Sequence, residues 1–157
     1  MSFVDRLRPE LIHLAPPWRT FEETIAGLAT ALAAARLLPA SSHADAVRAV
    51  AGREAEASTA LLDIGVGIPH ARLSGVARPV AALAVSAAGL YEAVPTVPIR
   101  IVALILSPPD AGPHHLRLLS GIATLLRSAE LRAALLAAPD PGDALATLRR
   151  HARRAPS

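Results

Sequence analysis

The chain contains no cysteine and no lysine. Without thiols there is no disulfide framework, no Cys-ligated zinc and no cysteine nucleophile, and the composition fits a reducing compartment. Without lysine, the basic side chains are 16 arginines, and almost none of them titrates before very high pH. The sequence pI near 10.9 therefore overstates a formal charge of only +3 at pH 7. Aromatic residues make up 3% against 52% hydrophobic, so the core must be built from Ala, Leu, Val and Ile, and no base-stacking platform for nucleic acid is present. Long apolar runs are missing too. "IVALIL" is far too short to cross a bilayer, and "MSFVDRLRPE" has no apolar segment of the secretory kind behind its charges. Neither membrane insertion nor a nucleic-acid partner is expected, and a cytoplasmic location is. The local cluster Arg149, Arg150, Arg153 and Arg154 is read as a charged helix end rather than a phosphate-binding tail.

A length of 157 residues suits a single domain over 1–157 with a sizeable core, the last seven residues forming a basic tail that frays at "RRAPS". "TFEETIAGLATALAAARLL" opens with Thr20 and Glu23 at capping-box spacing, and Ile25, Leu28, Leu32 and Ala35 recur at helical period. Ser42 and Asp45 give a weaker capping signal for a second helix carrying Val47 and Val50. The period then changes. "PVAALAVS" and "IRIVALILS" read as strands, the second apolar on successive positions and so covered on both faces, while "AAGLYEAVPTVP" between them reads as loop. Helices return with Pro113 at a first helical position, then with Ser128 and with Asp140–Pro141 as further starts. Helices, strands, then helices imply an α/β/α sandwich, a sheet with helices on both faces.

The segment "GVGIPHAR" at 65–72 mounts a histidine on a stiff support. Pro69 fixes its own φ and drives Ile68 into an extended conformation, while Gly65 and Gly67 leave room for another backbone or an anionic group. A histidine at a strand end is often structural, so its partners decide. Arg53 and Glu54 lie near the end of the second helix, before a turn at Ser58 and Thr59. His114 and His115 fall in the first turn of the helix after Pro113. His115 shares a stripe with Leu119, Ile122 and Leu126 and should point toward the sheet, with His114 to one side.

Two histidines and an arginine make a poor hydrolase triad, and no Gly-x-Ser-x-Gly elbow is present. A zinc site would want a third ligand, and an adjacent arginine would oppose the metal. The same groups suit a phosphoryl group. A neutral imidazole offers one nitrogen as nucleophile while a hydrogen bond fixes the other, and a guanidinium gives charge-assisted donors to phosphate oxygens.

The segments "RE" at 53–54, "ST" at 58–59, "GVGIPHAR", "ILSPPD" at 105–110 and "HLRLLSGIATLL" at 115–126 resemble, in this order, the IIA components of the bacterial phosphoenolpyruvate-dependent sugar phosphotransferase system, of the fructose, mannitol and nitrogen-regulatory type. The resemblance covers about residues 8–150, and residues 7–32 resemble the family's opening strand and helix. It implies a three-layer α/β/α fold with a mixed sheet of about five strands. It also implies that His70 accepts a phosphoryl group on its distal nitrogen from the histidine-containing phosphocarrier protein and passes it to a IIB domain in sugar uptake. The alternative is a regulatory module whose phosphorylation state controls a transporter, kinase or transcriptional partner. Arg53 would help bind the phosphoryl group, His115 would be the second active-site histidine, and Ser58, Thr59 and Gly67 would line the site. No metal and no cofactor are implied. Gly67 stands where the family usually has alanine, and "STALLDIGVGIPH" has one residue more than the usual spacing. A bulge or shifted turn is therefore expected near Asp63 and Ile64, which alters the path from Arg53 to His70.

Overall fold

A computed structural model describes residues 1–154. In chain order it contains β1 (Ile12–Leu14), α1 (Phe21–Ala34), α2 (His43–Glu56), β2 (Ala60–Leu61), β3 (Val66–Gly67), β4 (His70–Arg72), β5 (Val80–Val85), β6 (Tyr91–Val94), β7 (Val97–Ile99), β8 (Ile101–Ser107), α3 (Pro113–Leu126), α4 (Ala129–Leu136) and α5 (Pro141–Arg154). Short 3₁₀ turns precede β1 and α2.

The main sheet runs β1-β5-β8-β3-β2, with β4 also paired to β8. β8 is its spine, antiparallel to β5 on one side and parallel to β3 and β4 on the other. All residues of β5 and β8 are buried, as expected of apolar strands covered on both faces. β3 and β4 occupy one lateral position. Although Ile68 and Pro69 interrupt them, the register is unbroken: Val66 faces Ile101, Gly67 faces Val102, His70 faces Ile105 and Arg72 faces Ser107. Pro69 cannot donate to the ladder, but its carbonyl accepts from Ile105 N–H at 3.1 Å, so the segment stays straight up to the histidine. This is a mixed sheet with helices on both faces, a three-layer α/β/α sandwich.

Local signals account for most helix starts. Thr20 Oγ1 accepts from Glu23 N–H at 3.0 Å, although the Glu23 carboxylate accepts from Arg19 N–H at 3.3 Å rather than from Thr20. Ser128 Oγ and Asp140 Oδ1 cap α4 and α5 through Leu131 N–H and Asp143 N–H. At α2 the expected Ser42–Asp45 cap is not made: Ser42 is itself helical, and Asp45 pairs with Arg48 instead. The preceding 3₁₀ turn Ala40–Ser42 carries the chain into the helix without a side-chain cap. At the C-terminus α5 continues through Arg154, with Arg153 and Arg154 in its last turn. The basic end is thus helical that far, and residues 155–157 lie outside the described residues.

The segment expected to be a loop at 87–98 is instead a hairpin, β6 against β7, in a sheet of two strands. Its Val-Pro repeats do resist helix, but proline is tolerated on a ribbon whose outer edges are unpaired. Pro95 and Thr96 form the tip, with Thr96 at a φ of 71°, the positive value that a type II turn takes at its third position when proline stands at the second. The hairpin packs Tyr91 edge-on against Phe21 of α1, ring centroids 5.2 Å apart.

Candidate active site

A cleft of about 690 Å³ opens between α2, β4 and the start of α3, lined by Arg48, Arg53, His70, Arg72, His115 and Leu119 among others. Each chemical group reaches it for a local reason. Arg53 lies in the last turn of α2, where one guanidinium nitrogen donates to Ala57 O at 3.1 Å. That tether closes the helix end and steadies the side chain. His70 begins β4, and its Nδ1–H donates to the Ile68 carbonyl at 2.8 Å. A carbonyl can only accept, so this bond fixes the tautomer and leaves the lone pair of the neutral ring on Nε2. His115 is buried at 4% exposure, and its Nδ1 pairs with Ser107 Oγ at 2.7 Å. Ser107 ends β8 and is buried as well. The two imidazoles meet edge to face with ring centroids 5.3 Å apart.

Burial and the neighbouring charges favour the neutral form of both rings. Burial holds the His70 imidazole below the ordinary histidine pKa; the Ile68 hydrogen bond and Glu54 oppose this, and the Arg53 charge adds to it. His115 is pushed down to about 4, first by burial, then by His70, Arg72 and Arg53. A protonated His115 would face the Arg72 and Arg53 charges, whereas an incoming dianion would be attracted by both.

The structure brings His70, His115 and Arg53 to one cleft and places the other expected lining residues elsewhere. Thr59 donates from its N–H (2.8 Å) and Oγ1 (2.6 Å) to the two Glu54 carboxylate oxygens, and Ser58 Oγ accepts from Ala60 N–H. Both residues serve the turn between α2 and β2. Gly67 makes room for Tyr91: a Cβ there would lie 2.2 Å from the tyrosine oxygen. The shifted turn expected near Asp63 and Ile64 corresponds to the turn 62–65 of the β2–β3 hairpin. There Gly65 takes a φ of 65° and its carbonyl accepts from Arg100 and Ile101 N–H, which leads the chain into Val66 beside β8. Sequence reasoning missed Arg72 in the cleft and Ser107, buried behind it against His115. A serine closing an apolar run, in the same two-residue period as Ile105, could have flagged Ser107. Period two from His70 would have flagged Arg72. Among the described residues, no group of three or more His, Cys, Asp or Glu side chains is placed to hold a metal ion.

A profile of the family described as "Phosphoenolpyruvate-dependent sugar phosphotransferase system, EIIA 2" matches residues 6–151. The chain belongs to this family. It is thus an EIIA-type phosphoryl-carrier domain, a phosphotransferase component that forms a phosphohistidine intermediate. This EIIA domain is 36% identical over 131 residues to the PTS system fructose-specific EIIA component of Haloferax volcanii, covering 82% of each chain. It is 38% identical over 76 residues to a nitrogen regulatory protein of Pseudomonas aeruginosa, covering 48% of this chain and 49% of that one. Its fold is similar to the crystal structure of the nitrogen regulatory protein IIA-Ntr from Neisseria meningitidis, with a TM-score of 0.79, 25% identity, and coverage of 92% of this chain and 97% of that one. No described helix of the EIIA domain is long and apolar enough to cross a membrane.

Proposed function

We propose that His70 is the residue that carries the phosphoryl group, taking it on Nε2 from a histidine-containing phosphocarrier protein and passing it to a IIB domain in sugar uptake. The observation that carries this reading is the 2.8 Å bond from His70 Nδ1–H to Ile68 O, which presents an unprotonated Nε2 in a cleft flanked by Arg53 and His115. In the transfer, the Nε2 lone pair forms a bond to phosphorus while the phosphorus–nitrogen bond of the donor breaks, and that electron pair stays with the donor nitrogen. Arg53 binds the equatorial oxygens, and its permanent charge needs no proton transfer. With the Ser107 O–H donating to His115 Nδ1, the tautomer this reading uses, His115 Nε2–H is the donor offered to the phosphoryl group. His115 is also in the first turn of α3, where the positive end of the helix dipole favours an anion. Catalysis is then orientation and fixed charge.

Labelling with phosphoenolpyruvate, enzyme I and the phosphocarrier tests the assignment. The parent should acquire one acid-labile phosphoryl group and His70→Ala none. Equal labelling of both proteins, or an unlabelled parent with competent donors, would overturn it. A second reading, a regulatory module, is favoured by the likeness to proteins named as nitrogen regulatory. It predicts that the phosphoryl group stays on His70 when a IIB domain is added, whereas the transport reading predicts its onward transfer.

A further inference from the structure

Arg72 stands two residues beyond His70 on the same strand, and strand periodicity puts both side chains on one face. That face carries Ser107, the register partner of Arg72, and through Ser107 it meets His115. Arg72 lines the same cleft and is exposed at its mouth. Among the described residues it has no hydrogen-bond or ion-pair partner, whereas Arg48 is paired with Asp45 and Arg53 is tethered to Ala57. The charges of Arg53 and Arg72 bear unequally on the histidines. Arg53 bears on His70 and on His115, and Arg72 bears on His115 more strongly than Arg53 does.

We propose that Arg72 is a second phosphoryl-binding residue, closing its guanidinium over the group on His70 from the side opposite Arg53. The inference rests on His70 being the acceptor. A guanidinium without a carboxylate is an incomplete ion pair, and phosphohistidine supplies the missing dianion, with oxygens to spare for a second fork once Arg53 has taken its own. The site then binds the phosphoryl group by itself, independent of which protein brings it.

Phosphoramidate, a small donor that needs no carrier, separates the possibilities. The full-length parent, Arg72→Gln, Arg72→Lys and His70→Ala are each labelled with phosphoramidate and, separately, with the phosphocarrier, and incorporation and its decay are followed by intact mass. Arg72→Gln should be labelled about tenfold more slowly by both donors, a loss of the size a charge-assisted hydrogen bond supports, and Arg72→Lys should recover part of the rate. Unchanged rates for Arg72→Gln with both donors would overturn the proposal. So would a defect seen with the phosphocarrier alone, which would place Arg72 in carrier docking. If His70→Ala labels like the parent, the acceptor assignment fails, a result separate from any effect at Arg72.

Discussion

His114 and His115 are neighbours in the first turn of α3, yet they face different hollows of nearly equal size. His115 lines the 690 Å³ cleft, and His114 lines one of about 710 Å³ between the N-terminal segment, α3 and α5. Their hydrogen bonds explain their different chemistry. Ser107 meets His115 at Nδ1 and leaves Nε2 for the cleft, while Arg6 donates to His114 Nε2 at 3.0 Å and also to Pro79 O at 2.8 Å, pinning the N-terminal segment to the body. One ring is presented and its neighbour is consumed as a fastener. Hollow volume distinguishes nothing here; what matters is which ring nitrogen is left over and which charges surround it.

That contrast can be broken in several ways. The largest difference is expected between His115→Ala and His114→Ala in phosphocarrier labelling. The first should slow labelling by about ten- to a hundredfold, as loss of one hydrogen bond to a charged group does. The second should leave the rate within about twofold while costing about 1 kcal/mol of stability in chemical denaturation, the net worth of one hydrogen bond. Comparable labelling defects in the two variants would erase the distinction.

A smaller effect is expected behind the cleft. Gly67→Ala should lower stability by about 1–3 kcal/mol, because the added methyl overlaps the Tyr91 oxygen and this interior has no slack. In a Tyr91→Phe background the same substitution should cost much less. The Tyr91 hydroxyl is buried without a partner, so its removal gives up no hydrogen bond. Equal costs in both backgrounds, measured by thermal or denaturant unfolding, would show that the two residues are not coupled.

The gentlest probe is pH. His115 titrates at about 4 in the folded chain, against an ordinary histidine value near 6.5. Between these values the unfolded chain binds the extra proton and the folded chain does not, so stability falls as pH falls from 6.5 toward 4. His115→Gln should flatten that slope in denaturation curves. The midpoint of the acid-side decline in labelling of the parent should lie below the ordinary histidine value near 6.5, because His70 is also held below that value.

Much of this site can be read from local covalent constraints, and what escapes reading is decided by distant partners. Proline at 69 dictates an extended Ile68, and the straight approach to His70 follows from that alone. The helix starts at Thr20, Ser128 and Asp140 follow from side chains that bond within three residues. The β6–β7 hairpin does not, because its prolines are acceptable only on a ribbon edge, and the ribbon is seated by a contact distant in sequence, Tyr91 against Phe21. Ser107 is marked in sequence only by its place at the end of an apolar run, because its partner is eight residues on, across a strand end and a loop. The turn residues Ser58 and Thr59 were ambiguous because a hydroxyl near a helix end serves a carboxylate or a phosphate equally well, and Glu54 claims Thr59 here.

The unbroken register through Ile68 and Pro69 bears on timing. Strand ladder and ring are both held, by Pro69 O and by Ile68 O. On the proposed reading of His70, the acceptor is therefore in place before a carrier arrives, and transfer asks the two proteins only to align two nitrogens and one phosphorus.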